Sequence, residues 1–167
     1  GHASVDHKTV INYLNNLCDA FLFYRADRYD IKGKAYLKTL FKYYSVDIGL
    51  RNAFLNFRQI EPTHTIENVV YLELLHRGYI VDIGKNDQKE IDFIAKNMKD
   101  TFYIQVTYTM VDESTREREL GSFKKLDDGY KKIVVTMDDD PFTDLGNGYK
   151  KINMLDFLLN ESALEEA

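Results

Sequence analysis

Apolar and polar residues alternate through Glu90-Ile91-Asp92-Phe93-Ile94-Ala95 and again through Phe102-Tyr103-Ile104-Gln105-Val106-Thr107-Tyr108. A period of two predicts two strands, because successive side chains on a strand point to opposite faces. Asn97-Met98-Lys99-Asp100 lies between them and predicts a tight turn, since Asn and Asp tolerate left-handed backbone. On this parity Gln105 and Thr107 share one face, and Ile104 and Val106 take the other. Asp92 faces away from Ile91 and Phe93. Burying a carboxylate in an apolar strand is costly unless something binds it, which makes Asp92 a candidate site residue. The plainer alternative is an edge carboxylate in water or beside a lysine.

The remaining pattern supplies the neighbours. Asp6 is a candidate N-cap for a helix carrying Val10, Tyr13, Leu14, Leu17 and Cys18 at helical spacing. Phe21 to Ala26 reads as a strand, Lys32-Gly33-Lys34 as a turn, and Ala35 to Lys38 as the returning strand. Lys42 to Asn52 reads as a short strand leading into a helix through Leu55, capped by Asp47. The strongest helical pattern runs from Thr65 to about Arg77, with Gly78 as its stop. Glu67, Val70, Tyr71, Leu74 and Leu75 share a face of that helix, so Glu67 points where the apolar residues point. Glu73 lies on the adjoining face and is a weaker candidate.

Tyr79 to Gly84 predicts a further strand, followed by a polar turn at 85–89. Asp112 or Ser114 would cap a helix running to Asp127, with Leu120, Phe123 and Leu126 as its apolar stripe. Arg116 to Glu119 reads as that helix's solvated face. Lys132 to Thr136 is continuous enough for a strand covered on both faces. Asp138-Asp139-Asp140-Pro141 is a loop. Tyr149 to Asn153 and Met154 to Leu159 predict a last strand and helix, and Glu161 to Ala167 a frayed tail.

Composition narrows the classes. The 167 residues are 44% hydrophobic and 13% aromatic, as in a folded domain. No apolar run reaches the ~20 residues of a membrane span, and no signal peptide is seen. A lone cysteine, Cys18, excludes an internal disulfide framework and favours a reducing, cytoplasmic setting. The start Gly1-His2-Ala3-Ser4 reads as an expression scar on a fragment of a longer protein. The net charge of −5 argues against a general nucleic-acid binder, but the charge is uneven. Residues 24–58 hold eight Lys/Arg and three Asp, net +5, against fourteen Lys/Arg and twenty-four Asp/Glu elsewhere, net −10. That segment is a candidate for weak nucleic-acid binding.

The order from Thr65 onward is αβββαβ. It resembles the restriction-endonuclease-like fold of the PD-(D/E)XK superfamily, an α/β class with a mixed sheet flanked by helices. More closely, KYYSVDIGLRN at Lys42 to Asn52, ENVVYLELLHRGY at Glu67 to Tyr79, KEIDF at Lys89 to Phe93 and IQVTY at Ile104 to Tyr108 resemble a domain of unknown function. In a large family of prokaryotic AAA-type ATPases that domain follows the ATPase module. The segment before Lys42 looks like that family's winged-helix part, entered halfway. The resemblance implies three segments: 1–41 partial winged helix, 42–160 nuclease-like domain, 161–167 tail.

It also implies roles. Glu67, Asp92, Gln105 and Thr107 stand at the catalytic places, and Asp92, Gln105 and Glu67 at the ligand places for Mg²⁺. ATP would enter only through the ATPase module, which is also the implied partner. Two positions depart from the pattern. Gln105 offers a neutral carbonyl where a carboxylate is usual, and Thr107 cannot replace the usual Lys; Lys89 or Lys96 would have to supply the cation. Three readings follow: a catalytically degenerate binding or regulatory module, an active Mg²⁺-dependent nuclease, and a scaffold or toxin–antitoxin-like role with protein partners alone.

Overall fold

The computed structural model describes residues 6–58, 61–140 and 142–167; Gly1 to Ser4 and Pro141, both read above, lie outside them. The N-terminal helix α1 (His7–Asp19) precedes a hairpin of β1 (Phe23–Asp30) and β2 (Ala35–Ser45). Two helices follow, α2 (Ile48–Phe54) and α3 (Pro62–His76). The centre is β3 (Ile80–Asn86), β4 (Lys89–Lys96) and β5 (Thr101–Val106). Then come α4 (Glu113–Ser122), β6 (Lys131–Thr136), β7 (Asp144–Gly146), β8 (Tyr149–Asn153), α5 (Met154–Leu159) and α6 (Ala163–Glu166).

The eight strands among the described residues form one mixed sheet, ordered β2-β1-β3-β4-β5-β6-β8-β7. The pairs β1/β3, β5/β6 and β6/β8 are parallel and the rest antiparallel. On one face α3 places Val70, Tyr71 and Leu74 against Phe93, Ile104 and Val106, and Phe157 and Leu164 join this cluster. On the other face Phe123, Leu120 and Leu126 cover Ile91, Ile94, Tyr103 and Val134. The protein is therefore α/β, a mixed sheet flanked by helices.

Several boundaries move, each for a local reason. Phe21 cannot open a strand because its φ is 56°. It is the left-handed residue that closes α1: its N–H reaches Cys18 O, and Leu22 N–H reaches Leu17 O. This is the two-bond helix stop usually built on glycine, and α3 ends the same way with Gly78, as its sequence predicted. The strand β2 runs on to Ser45, so the boundary between residues 41 and 42 falls inside it. The hairpin read as a wing joins the main sheet, Arg28 to Asp30 pairing with Ile83 to Lys85. Asn68 of α3 extends the ladder at its end, bonding both backbone groups of Ser45 at 2.9 Å.

The tail read as frayed is instead held as α6, with Leu164 fully buried. Arg77 donates to the carbonyls of Phe157, Asn160 and Glu161, and Tyr79 Oη donates to Glu165 at 2.6 Å. β7 carries too few residues for its pattern to register. The helix α4 stops at Ser122, five residues before the expected Asp127.

One irregularity shapes the centre. Asp82 pairs with Ile94, but Gly84 pairs with Ile91, so Ile83 alone faces Asp92 and Phe93. This bulge resets the alternation. Ile91 goes to the α4 face and Phe93 to the α3 face, not to the same face as strict parity predicted. Gly84 makes room: a Cβ there would sit 2.9 Å from Ile91 Cβ and 3.1 Å from Ile94 Cγ1. Gly84→Ala is accordingly expected to cost about 1–3 kcal/mol through overpacking. Thermal unfolding reads it, and an unchanged midpoint would show that the bulge absorbs the methyl group.

Candidate functional site

The bulge leaves the ladder between β4 and β5 unpaired at Asp92. Side chains replace the missing backbone bonds. Asp92 N–H donates to Gln105 Oε1 at 2.8 Å, and Asp92 Oδ2 accepts from Val106 N–H at 2.8 Å. The amide of Gln105 turns its other end to α4, where Nε2 donates to Glu119 Oε2 at 2.8 Å. Both ends of Gln105 are thus committed, which a buried amide requires. Glu119, on the stretch read as a solvated face, is 7% exposed. Its second oxygen takes the Arg118 guanidinium at 2.8 Å.

A second cluster lies under α3. Tyr44 Oη donates to Glu67 Oε1 at 2.7 Å, and Lys42 Nζ reaches the same oxygen at 3.0 Å. Lys42 also reaches Glu90 Oε1 at 2.8 Å, and Arg28 pairs with the other oxygen of Glu90. One ammonium therefore joins a carboxylate of α3 to one of β4. Tyr44 stacks on Tyr71 with ring centroids 4.0 Å apart, which holds the phenol against Glu67. Burial, followed by the Glu67 charge, keeps the Tyr44 hydroxyl protonated far above the ordinary phenol range.

Asp92 lies between these clusters. Desolvation pushes its pKa up to about 7, the Glu67 charge adds to this, and Lys42 and the Val106 N–H oppose it. The protonated carboxyl is therefore well populated near neutrality.

Of the residues picked from sequence, Asp92 and Gln105 touch. Glu67 acts on Asp92 through its charge and bonds elsewhere. Thr107 follows β5, is buried, and donates to Thr109 O at 3.2 Å. Lys96 is bonded to Asp82 at 2.9 Å, and Lys89 lies against Gly121. Glu73 pairs with Arg77 at 2.7 Å, and Asp47 caps α2 through Leu50 N–H at 2.9 Å. In the acidic loop Asp138 closes the turn after β5, accepting from Thr109 Oγ1 and Met110 N–H at 2.6 and 2.9 Å.

The cation at the site is Lys42, which the sequence reading passed over. Its signal was present, because Lys42 and Tyr44 share strand parity and a buried Glu67 needs a donor. Glu119 had a signal too, standing four residues before Phe123 on one helical face.

The resemblance implies Mg²⁺, and the donor set does not suit it. The Gln105 carbonyl already accepts from Asp92 N–H, and an ammonium occupies Glu67. Among the described residues no group of three or more His, Cys, Asp or Glu side chains is arranged to hold a metal ion.

Residues 1–61 match a family model described as "Domain of unknown function (DUF8612)". The chain is 43% identical over 151 residues to an uncharacterized protein of Haemophilus influenzae, covering 90% of this chain and 37% of that protein. It is 27% identical over 165 residues to "Uncharacterized protein MJ1544" of Methanocaldococcus jannaschii, covering 93% and 34%. The chain thus spans about a third of the length of these relatives. No solved structure matches it. No helix among the described residues is long and apolar enough to cross a membrane.

In the segment at 24–58, internal pairing consumes much of the positive charge. Arg25 is paired with Asp27, Arg28 with Glu90, Lys32 with Asp87, and Lys42 with Glu67 and Glu90. The surface field there is weaker than the formal count suggests.

Proposed function

We propose that this chain is a catalytically degenerate domain of the restriction-endonuclease-like type. It acts as a binding or regulatory module of a longer protein, in which the sequence resemblance places an AAA-type ATPase module. The observation that carries the reading is Gln105. Its carbonyl, the atom it would offer an ion, already accepts from Asp92 N–H, and its amide donates to Glu119. The order α3-β3-β4-β5-α4-β6, with β5 and β6 parallel, supports the fold assignment. Lys42 supports the loss of the ion, since its ammonium already supplies positive charge to Glu67, one of the implied ion ligands.

Without the ion there is no activated water and no compensation for charge building on a phosphodiester. Losing one preorganised charge-stabilising group typically costs ~10²–10³ in rate. We expect no useful cleavage of single-stranded, duplex or branched DNA or RNA with Mg²⁺ or Mn²⁺. The double variant Gln105→Glu/Thr107→Lys is run beside the unmodified chain and Asp92→Ala. Divalent-dependent cleavage by the unmodified chain, abolished by Asp92→Ala, would establish an active nuclease instead. Activity gained in the double variant alone would support the degenerate reading.

A further inference from the structure

A cleft of about 440 Å³ opens on the α4 face of the sheet, toward the end of β4 away from Asp92. The β1–β2 turn, the ends of β4 and β5, and the loop after α4 enclose it. Ile31, Ile94 and Leu126 give it an apolar floor. Its size is within the range of small-ligand pockets.

Three tyrosines and four lysines line this cleft, and their existing contacts sort them. The face of Tyr29 is covered by the Lys96 ammonium, 4.5 Å from the ring centroid. Tyr103 is buried and donates its hydroxyl to Asp128. Tyr130 lines the cleft, is 46% exposed and meets Tyr103 in a T-shaped contact at 5.8 Å, which occupies at most one of its two ring faces. Lys96 is paired with Asp82 and Lys32 with Asp87. Lys34 and Lys125 have no ion-pair partner among the described residues, and both stand on left-handed backbone at turns, with φ of 49° and 69°. Of the acids, Asp128 already bonds Tyr103 and pairs with Lys132, while Asp127 remains as an acceptor at the rim.

We propose that this cleft binds a nucleotide, its base stacked on Tyr130 over the apolar floor and its phosphate held by Lys34 and Lys125. An exposed aromatic face stacks any base, and ammonium groups take phosphate as point charges. Asp127 is placed to accept from a base amine or a sugar hydroxyl. The same chemistry is met in a free nucleotide and in one unit of a single strand. The site lies apart from Asp92, so it stands or falls independently of the nuclease assay.

The test is fluorescence anisotropy at low salt with labelled oligothymidylate and oligouridylate. Unlabelled AMP, UMP and inorganic phosphate serve as competitors. Tyr130→Ala is expected to weaken binding roughly tenfold, Tyr130→Phe to preserve it, and Lys34→Ala/Lys125→Ala to weaken it and flatten its salt dependence. Competition by the mononucleotides identifies a free nucleotide as the ligand, and binding by the oligomers alone identifies a single strand. No binding by either, or binding that inorganic phosphate displaces equally well and Tyr130→Ala leaves unchanged, overturns the proposal.

Discussion

Lys42→Met is expected to lower stability by about 2 kcal/mol, and more at high pH than at low. Removing one partner of a buried ion pair costs roughly 3–5 kcal/mol, because the other charge is left uncompensated. The Lys42 and Glu90 side chains here are 31% and 29% exposed, so water screens part of that loss, whereas Glu67 at 11% cannot escape it. Methionine keeps the apolar stem and isolates the charge. For a chain of this size the loss is about 4–8 °C in Tm. With the ammonium gone, a charge that opposes the raised pKa of Asp92 is lost, so Asp92 holds its proton more tightly in the folded chain and acidification should restore part of the loss. A double-mutant cycle with Glu67→Gln should show coupling, since the two residues share one bond. Additive losses, or a Tm unchanged by Lys42→Met, would remove Lys42 from its place at the centre of the network.

Asp92→Asn should gain stability relative to the unmodified chain as the pH rises from about 4 to 7. The folded-state pKa of Asp92 is raised, first by desolvation and then by Glu67, to about 7 from an ordinary 3.8. Between those values the folded protein holds a proton that the unfolded chain has released. Stability therefore falls as pH rises through that window and levels off above it. Asparagine keeps an acceptor for Val106 N–H and carries no charge, so the variant escapes the fall. The expected difference across the window is a few kcal/mol in order of magnitude. Chemical denaturation of both proteins at intervals through the range measures it. A difference independent of pH would mean that Asp92 ionises as an ordinary surface carboxylate.

Much of the architecture was legible because it is written locally. The run at Lys132 to Thr136 became the doubly covered β6, and the Gly78 stop ended α3. Asp47 caps α2, and Asn97 closes its turn by accepting from Lys99 and Asp100 N–H. Each feature depends on residues within a turn or two, so spacing and residue type suffice. The contact between Asp92 and Gln105 was reachable as well, since both lie on a predicted hairpin.

The rest was decided at long range. The Lys42–Glu67 bond joins residues 25 apart in sequence, and the Gln105–Glu119 bond residues 14 apart. Neither leaves a periodic trace, so Lys42 read as an ordinary basic residue and Glu119 as part of a solvated face. The hairpin before Lys42 read as a separate piece because the segment resembles part of a winged helix, and no local pattern shows that it joins the main sheet. Its charges are satisfied across the sheet, where Arg28 meets Glu90 and Lys85 meets Asp30. The tail read as frayed because its anchors, Arg77 and Tyr79, lie more than 80 residues upstream. The bulge at Asp92 was invisible for a related reason. A single extra residue resets the parity of a strand, and only its pairing with Ile83 and the bare Cα of Gly84 permits it. The sequence determined which segments become strands and helices, because that depends on neighbours along the chain. The tertiary structure decided which charges meet around Asp92, because that depends on sheet register and helix docking, which no local pattern encodes.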